Sequence, residues 1–217
     1  MKILIIVLSH NDNGGVYSKF YEAQKNTWDS LNVDGINTYY LFGNHDKNEI
    51  IDDKILTDVI DYNTKACGYK TIKSFELTKH LDYDYVFRTN SSSYIDKQLL
   101  VDYVIDKPLN NYYSGVIGTY QNLNFASGSG YFLSKNLVDL VIENSNLWNH
   151  LLIDDVAIAD LLKMFNITPT KNARYDILNY DNSIPNNYFH YRLRTSNRDI
   201  DIVNMYNMFN QKQNKTK

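Results

Sequence analysis

A single cysteine, Cys67, leaves this 217-residue chain unable to form an intramolecular disulfide, and nothing indicates an oxidising compartment. Basic excess is also missing: 22 Lys and Arg stand against 25 Asp and Glu, for a net charge of -3, so the electrostatic footprint of a nucleic-acid binder is absent. No stretch approaches the roughly 18 consecutive apolar residues of a membrane helix. The N-terminal apolar run spans only Ile3 to Leu8, and no small-residue cleavage site follows it, which argues against a secretory signal. The chain therefore reads as cytoplasmic. With three prolines and nine glycines, it shows no linker and no internal repeat. One domain over residues 1–210 is expected, followed by a polar, frayed tail at 211–217.

What is present fits a soluble globular protein, with 43% hydrophobic and 22% charged residues. Ile3 to Leu8 reads as a buried strand, closed by Ser9-His10-Asn11 and a glycine loop. Tyr17 to Leu31 has helical composition, with Phe20, Ala23, Gln24, Thr27 and Trp28 on one face. Thr38 to Gly43 is a second strand, Ile55 to Ile60 a third, and Cys67 to His80 a helix. Tyr85-Val86-Phe87 opens a central buried strand that switches abruptly to small polar residues, Thr89 to Ser93. Beyond it come a strand over Tyr112 to Tyr120, a glycine turn into a strand at Ala126 to Ser134, and helices at Lys135 to Glu143 and Leu151 to Phe165. After Asn166 the pattern loosens. Alternation of this kind predicts an α/β fold with a mixed, mostly parallel sheet and helices on both faces. In such sheets ligands bind beyond the carboxyl ends of the strands, which puts the polar end of the central strand on the floor of a site.

Several segments, in order over about residues 1–195, resemble one family. Asp84 to Ile95 is similar to the strand and acidic triplet of GT-A glycosyltransferases of the beta-1,3-galactosyltransferase and Fringe type. Ala23-Gln-Lys-Asn-Thr-Trp28 resembles that family's Ala-Ile-Arg-x-Thr-Trp helix, and Thr38 to Gly43 the strand that follows. Ser127-Gly-Ser-Gly-Tyr-Phe-Leu-Ser134 resembles its Ser-Gly-x-Gly-Tyr-x-x-Ser segment. Ile153-Asp-Asp-Val156 and Asn187-Tyr-Phe-His-Tyr-Arg192 resemble the late acidic pair and the Phe-His segment. The resemblance implies an inverting enzyme that moves a sugar from a nucleotide-sugar donor, expected to be a uridine diphosphate sugar, to a hydroxyl of a glycan or glycoconjugate. It implies that Asp155, or its neighbour Asp154, is the general base. The alternative is a degenerate module that binds a nucleotide-sugar or glycan without turnover. No Rossmann or Walker glycine loop supports a different nucleotide enzyme.

The departure from the family sits at its centre, where Asn90-Ser91-Ser92 replaces the acidic triplet. Mn²⁺ and Mg²⁺ favour anionic oxygen ligands, so an amide and two hydroxyls make a poor site. Charge on the departing diphosphate still has to be met. Two arrangements are open: a loosely held cation on Asn90, Ser92, His190 and the phosphates, or direct contact from the planar forks of Arg192 and Arg194.

Other candidates carry a plain reading beside the functional one. Ser9 and His10 either touch the nucleoside or close a loop. Lys25 either approaches a phosphate or is an ordinary helix lysine. Arg88 either lies beneath the sugar or makes a structural salt bridge. Gly128 and Gly130 either form a wall that lets the donor or acceptor approach the backbone, or a turn or bulge. Asp154 and Asp155 also suit a helix N-terminus. Asp82-Tyr83-Asp84, a literal Asp-x-Asp, precedes the strand and reads as a solvated turn, while Trp28, Tyr69 and Trp148 read as core aromatics.

Overall fold

The computed structural model describes residues 1–61, 64–181 and 183–215. Its spine is built from β1 (Ile3–Leu8), β2 (Ile36–Phe42), β4 (Lys54–Leu56) and β5 (Tyr85–Asn90), all parallel. To these are added β3 (Glu49–Ile51), β7 (Tyr113–Tyr120), β8 (Leu123–Ser134) and β9 (Thr170–Lys171), in the order β3-β4-β2-β1-β5-β8-β7-β9. A smaller sheet has the order β10-β11-β6, from Tyr175–Ile177, His190–Leu193 and Ser93–Ile95. The sheet is mixed and mostly parallel, as the alternating pattern predicts.

Strand periodicity divides the core in two. Ile3, Ile5, Val7 and Phe87 face one side with the small sheet, α1 (Val16–Asn26), α3 (Lys97–Val104) and α6 (Arg198–Lys215). Leu4, Ile6, Val86, Tyr131 and Leu133 face the other, under α2 (Thr64–Thr78), α4 (Lys135–Glu143) and α5 (Asp154–Lys163). β1 and β5 are apolar on both faces because both faces are covered.

Element boundaries shift for local reasons. The first helix ends at Asn26, and Trp28 belongs to a short 3-10 turn. α5 begins at Asp154 and not at Leu151, as Leu151 and Ile153 project into solvent at 81% and 49% exposure. The expected glycine turn at 126–130 is continuous strand. The expected fraying from 211 is corrected: α6 runs on to Lys215, with Tyr180 Oη donating to Gln211 Oε1 (3.0 Å) and Lys212 Nζ to Asp96 (2.6 Å). Thr216 and Lys217, the end of that tail, lie outside the described residues. Tyr69 is 46% exposed and stacks on His150 (3.7 Å between centroids), so it is no core aromatic, whereas Trp28 and Trp148 are buried.

Candidate active site

β5 ends level with β1, Asn90 opposite Leu8. There the chain leaves the large sheet and enters the small one at Ser93, so Asn90-Ser91-Ser92 is the turn between the two. The turn is braced from α1. Buried Gln24 donates through Nε2 to the carbonyls of Asn90 (3.4 Å) and Ser93 (3.1 Å), and Trp28 Nε1 donates to Ser93 (3.1 Å). The Ala23–Trp28 segment thus has a mechanical role, holding the strand tip in place. Within the turn, Asn90 Oδ1 accepts from the Ser92 amide (3.2 Å) and hydroxyl (3.1 Å), and the Ser91 hydroxyl donates to Leu8 (3.3 Å).

Above the turn lies a hollow of about 520 Å³ that brings together Ser9, His10, Asn90, Ser91 and Ser92. Its floor includes two residues that sequence reasoning missed, Asp61 and Lys70. They form an ion pair at 2.5 Å, with side chains only 4% and 3% exposed. Lys70 also donates to the Ser9 carbonyl (2.6 Å), and Asp61 accepts from the Gly43 amide (3.1 Å) and faces His10 Nδ1 (3.2 Å). Burial pushes the Lys70 ammonium below its ordinary pKa, against the pull of Asp61. Lys70 carries no signal in a helix of ordinary composition, and Asp61 becomes legible only when β2 brings Gly43 beside it.

The aspartates stand at the same sheet edge but outside the residues that line the hollow. Arg88, 2% exposed, ion-pairs with Asp154 and donates to the Gly128 carbonyl. Of its two readings, the salt bridge is the one the geometry carries. Asp155 accepts the Gly128 amide at 2.7 Å, while its Oδ1 is buried without a partner. Burial, then the negative charge of Asp154, raises the Asp155 pKa above the ordinary carboxylate range. The two carboxylates are therefore unequal: one neutralises an arginine, the other is an underbonded, more basic group.

Both glycines make room for protein side chains and not for an open wall. A Cβ on Gly128 would stand 3.1 Å from both Arg88 and Asp155, and one on Gly130 would stand 2.6 Å from His190 Nδ1. His190 is itself buried, and its Nε2 lies 3.0 Å from the Ser93 hydroxyl, not from Ser92. Burial, reinforced by Arg174 and Arg192, holds its pKa well below the ordinary value, so the ring is neutral.

The expected cation set does not fit. Asn90 and Ser92 offer neutral oxygens already bonded to one another, and His190 is turned to Ser93. Among the described residues no group of three His, Cys, Asp or Glu could hold a metal ion.

β11 places Arg192 beside Ser93, and Leu193 N donates to the Ser92 carbonyl (2.8 Å). Arg192 is half-buried, and its Nε is enclosed with no partner. Next to it Arg174, 6% exposed, is forked onto Asp176 and reaches Ser127 (3.3 Å) and Ser129. Arg194, 53% exposed, reaches the same Asp176 at 3.4 Å. Lys25 is not brought to the site. It sits at the far end of α1, paired with Asp53 (2.8 Å) and Asp29 (3.2 Å). Asp82 and Asp84 tie down Lys2 near the opposite end of the sheet, as a surface turn would.

No family model matches the chain, and no curated protein matches it. Among solved structures, it is similar to a glycosyltransferase involved in the glycosylation of the major capsid of PBCV-1, at TM-score 0.60 and 11% identity, covering 95% of this chain and 99% of that one. It is also similar to 4-diphosphocytidyl-2C-methyl-D-erythritol synthase from Anaerococcus prevotii DSM 20548, at TM-score 0.51 and 10% identity, covering 95% and 96%. At these identities the likeness shows the fold, a Rossmann-like arrangement of the GT-A type.

Proposed function

We propose that the chain is a glycosyltransferase that uses a nucleotide-sugar donor, with the hollow at the ends of β1 and β5 as the donor site. The observation that carries this reading is the polar turn Asn90-Ser91-Ser92. Gln24 and Trp28 hold it open to the hollow, at the strand edge where α/β sheets bind ligands. The solved glycosyltransferase involved in the glycosylation of the major capsid of PBCV-1 has the same fold over nearly its whole length, which supports the reading. Ser9 and His10 lie where a nucleoside would rest, on a floor fixed by the Asp61–Lys70 pair. Asn90 and Ser92 face the ribose and diphosphate of a uridine diphosphate sugar.

Asp155 is the base. As the acceptor hydroxyl of a glycan or glycoconjugate attacks the anomeric carbon in line, its proton passes to Asp155. The bond from that carbon to the diphosphate oxygen breaks, the diphosphate leaves with the electron pair, and the configuration inverts. The raised pKa of Asp155 suits proton capture, whereas Asp154 is spent on Arg88.

A second reading has its own observation: neither aspartate lines the hollow, as a binding module without turnover would allow. Release of free diphosphate from a panel of nucleotide-sugars separates the two. The enzyme releases diphosphate slowly even without acceptor, and Asp155→Asn abolishes transfer to acceptor. Tight binding of a nucleotide-sugar with no turnover toward any acceptor would refute the enzyme.

A further inference from the structure

We infer that Arg192, positioned and reinforced by Arg174, takes over the charge of a divalent cation, so that nucleoside diphosphate binds here without any metal. This rests on the donor-site reading above and adds a residue, Arg174, that the sequence pattern did not single out.

Charge is the first argument. Around Asp176 three guanidinium groups, from Arg174, Arg192 and Arg194, face one carboxylate and leave an excess of two positive charges. That equals the charge of one divalent ion. Although burial pushes the Asp176 carboxyl up, the hydrogen bonds and charge of Arg174 hold it below its ordinary range, so it stays ionised and the excess is fixed.

Geometry is the second. Arg174 is largely committed, with four of its five N–H donors engaged: Nε and Nη2 go to Asp176, and Nη1 goes to the Ser127 and Ser129 hydroxyls. It is a rigid strut, not a free donor. Arg192 is the reverse. Its side chain makes no hydrogen bond or ion pair among the described residues, its Nε is enclosed, and it feels like charge from Arg174. Arg198, which lines the hollow, also repels it. A half-buried cation that makes no hydrogen bond and shares its one neighbouring carboxylate, Asp176, with Arg174 and Arg194 is a poor structural element, and an added anion relieves it. A two-phosphate group offers the several oxygens that its planar fork requires.

Position is the third. Arg192 lies beside Ser93 across the antiparallel ladder, and β11 is hydrogen-bonded to Ser92 itself. The arginine therefore emerges next to the turn that carries Asn90-Ser91-Ser92 in place of an acidic triplet. Carboxylates are missing from the turn between β5 and β6, while arginines gather in the small sheet that the turn enters. The two features fit together: without acidic ligands there is no tight cation, and without a cation the leaving phosphates need cationic side chains.

Calorimetry with uridine diphosphate and with inorganic pyrophosphate on the full chain tests this, in a chelator and again with Mn²⁺. Affinities under the two conditions are expected to agree within about twofold, and to weaken as salt rises. Arg192→Gln should weaken binding by about tenfold or more, as expected for loss of a charge-assisted hydrogen bond. Arg174→Gln should weaken it by about tenfold, and Arg174→Lys, which restores the charge without the fork, should recover part of that loss. A merely structural Arg174 would give a lowered melting temperature with unchanged affinity, which overturns the inference for that residue. Binding that vanishes in the chelator, or an Arg192→Gln variant that binds as wild type does, overturns it altogether. The outcome stays separable from the fate of the enzyme reading. Sugar transfer that demands Mn²⁺ sinks the arginine clamp alone. Chelator-insensitive, arginine-dependent binding with no turnover of any nucleotide-sugar upholds the clamp and sinks the transferase.

Discussion

Asp154→Asn should cost the protein far more than its position on an exposed helix start suggests. Arg88 lies in the middle of the central strand at 2% exposure, and Asp154, at 13%, is the one ion-pair partner of its guanidinium among the described residues. Removing one partner of a buried pair leaves the other charge uncompensated, which costs about 3–5 kcal/mol. Asparagine still presents an oxygen to Arg88, so the lower end, about 3 kcal/mol, applies. At roughly 2–4 °C of melting temperature per kcal/mol for a domain of this size, the expected fall is about 6–12 °C. Asp154→Leu removes the acceptor too and should reach the upper end of the range. The double variant Arg88→Met, Asp154→Leu removes both charges and should recover much of the loss, short of the hydrogen bond to the Gly128 carbonyl. Thermal unfolding by circular dichroism with urea titration measures all three. A fall below about 2 °C for Asp154→Asn, or a double variant less stable than Asp154→Leu alone, would refute the buried pair.

Two further outcomes follow from the same edge of the sheet. His190 is held neutral, its pKa depressed below the unfolded value of 6.5, so its contribution is present above pH 6.5 and is lost as the pH falls below it. Wild type should lose up to about 1.4 kcal/mol per pH unit there from this residue, and urea midpoints should show a shallower dependence in His190→Gln; equal slopes would contradict the assignment. Gly130→Ala would push a methyl group to 2.6 Å from His190 Nδ1 and 3.0 Å from Phe87, so it should destabilise by about 1–3 kcal/mol, and an unchanged melting temperature would show that the ring can move aside.

Much of the scaffold was legible because each signal was local. Ile3 to Leu8 and Tyr85 to Phe87 are apolar on both faces because the strands are covered on both, and the chain says so without help from elsewhere. The switch from Phe87 to Thr89 marked the edge where the hollow lies. Boundaries were less visible where tertiary contacts set them. Gly128 and Gly130 read as a turn, yet they are strand residues whose missing side chains admit Arg88, Asp155 and His190. Nothing near them in sequence announces those partners.

The site divides along the same line. Its polar turn is written at one place, Asn90-Ser91-Ser92. The arginines proposed to meet the diphosphate come from His190–Leu193 and the loop at Arg174, where periodicity fades and short strands pair only across the small sheet. Likewise the adjacent aspartates had to point about 100° apart on a helix. Which of them is held in an ion pair, though, is decided by an arginine 66 residues earlier in the chain. Because Arg88 takes Asp154 and the Gly128 amide takes Asp155, the two carboxylates cannot exchange roles. An Asp154→Asn variant that folds should therefore retain a base, and by removing the negative charge beside Asp155 it should lower that base's pKa. If activity in that variant persists with its acid limb moved to lower pH, Asp155 is the base; if activity disappears while binding and fold remain, the roles proposed for the pair are reversed.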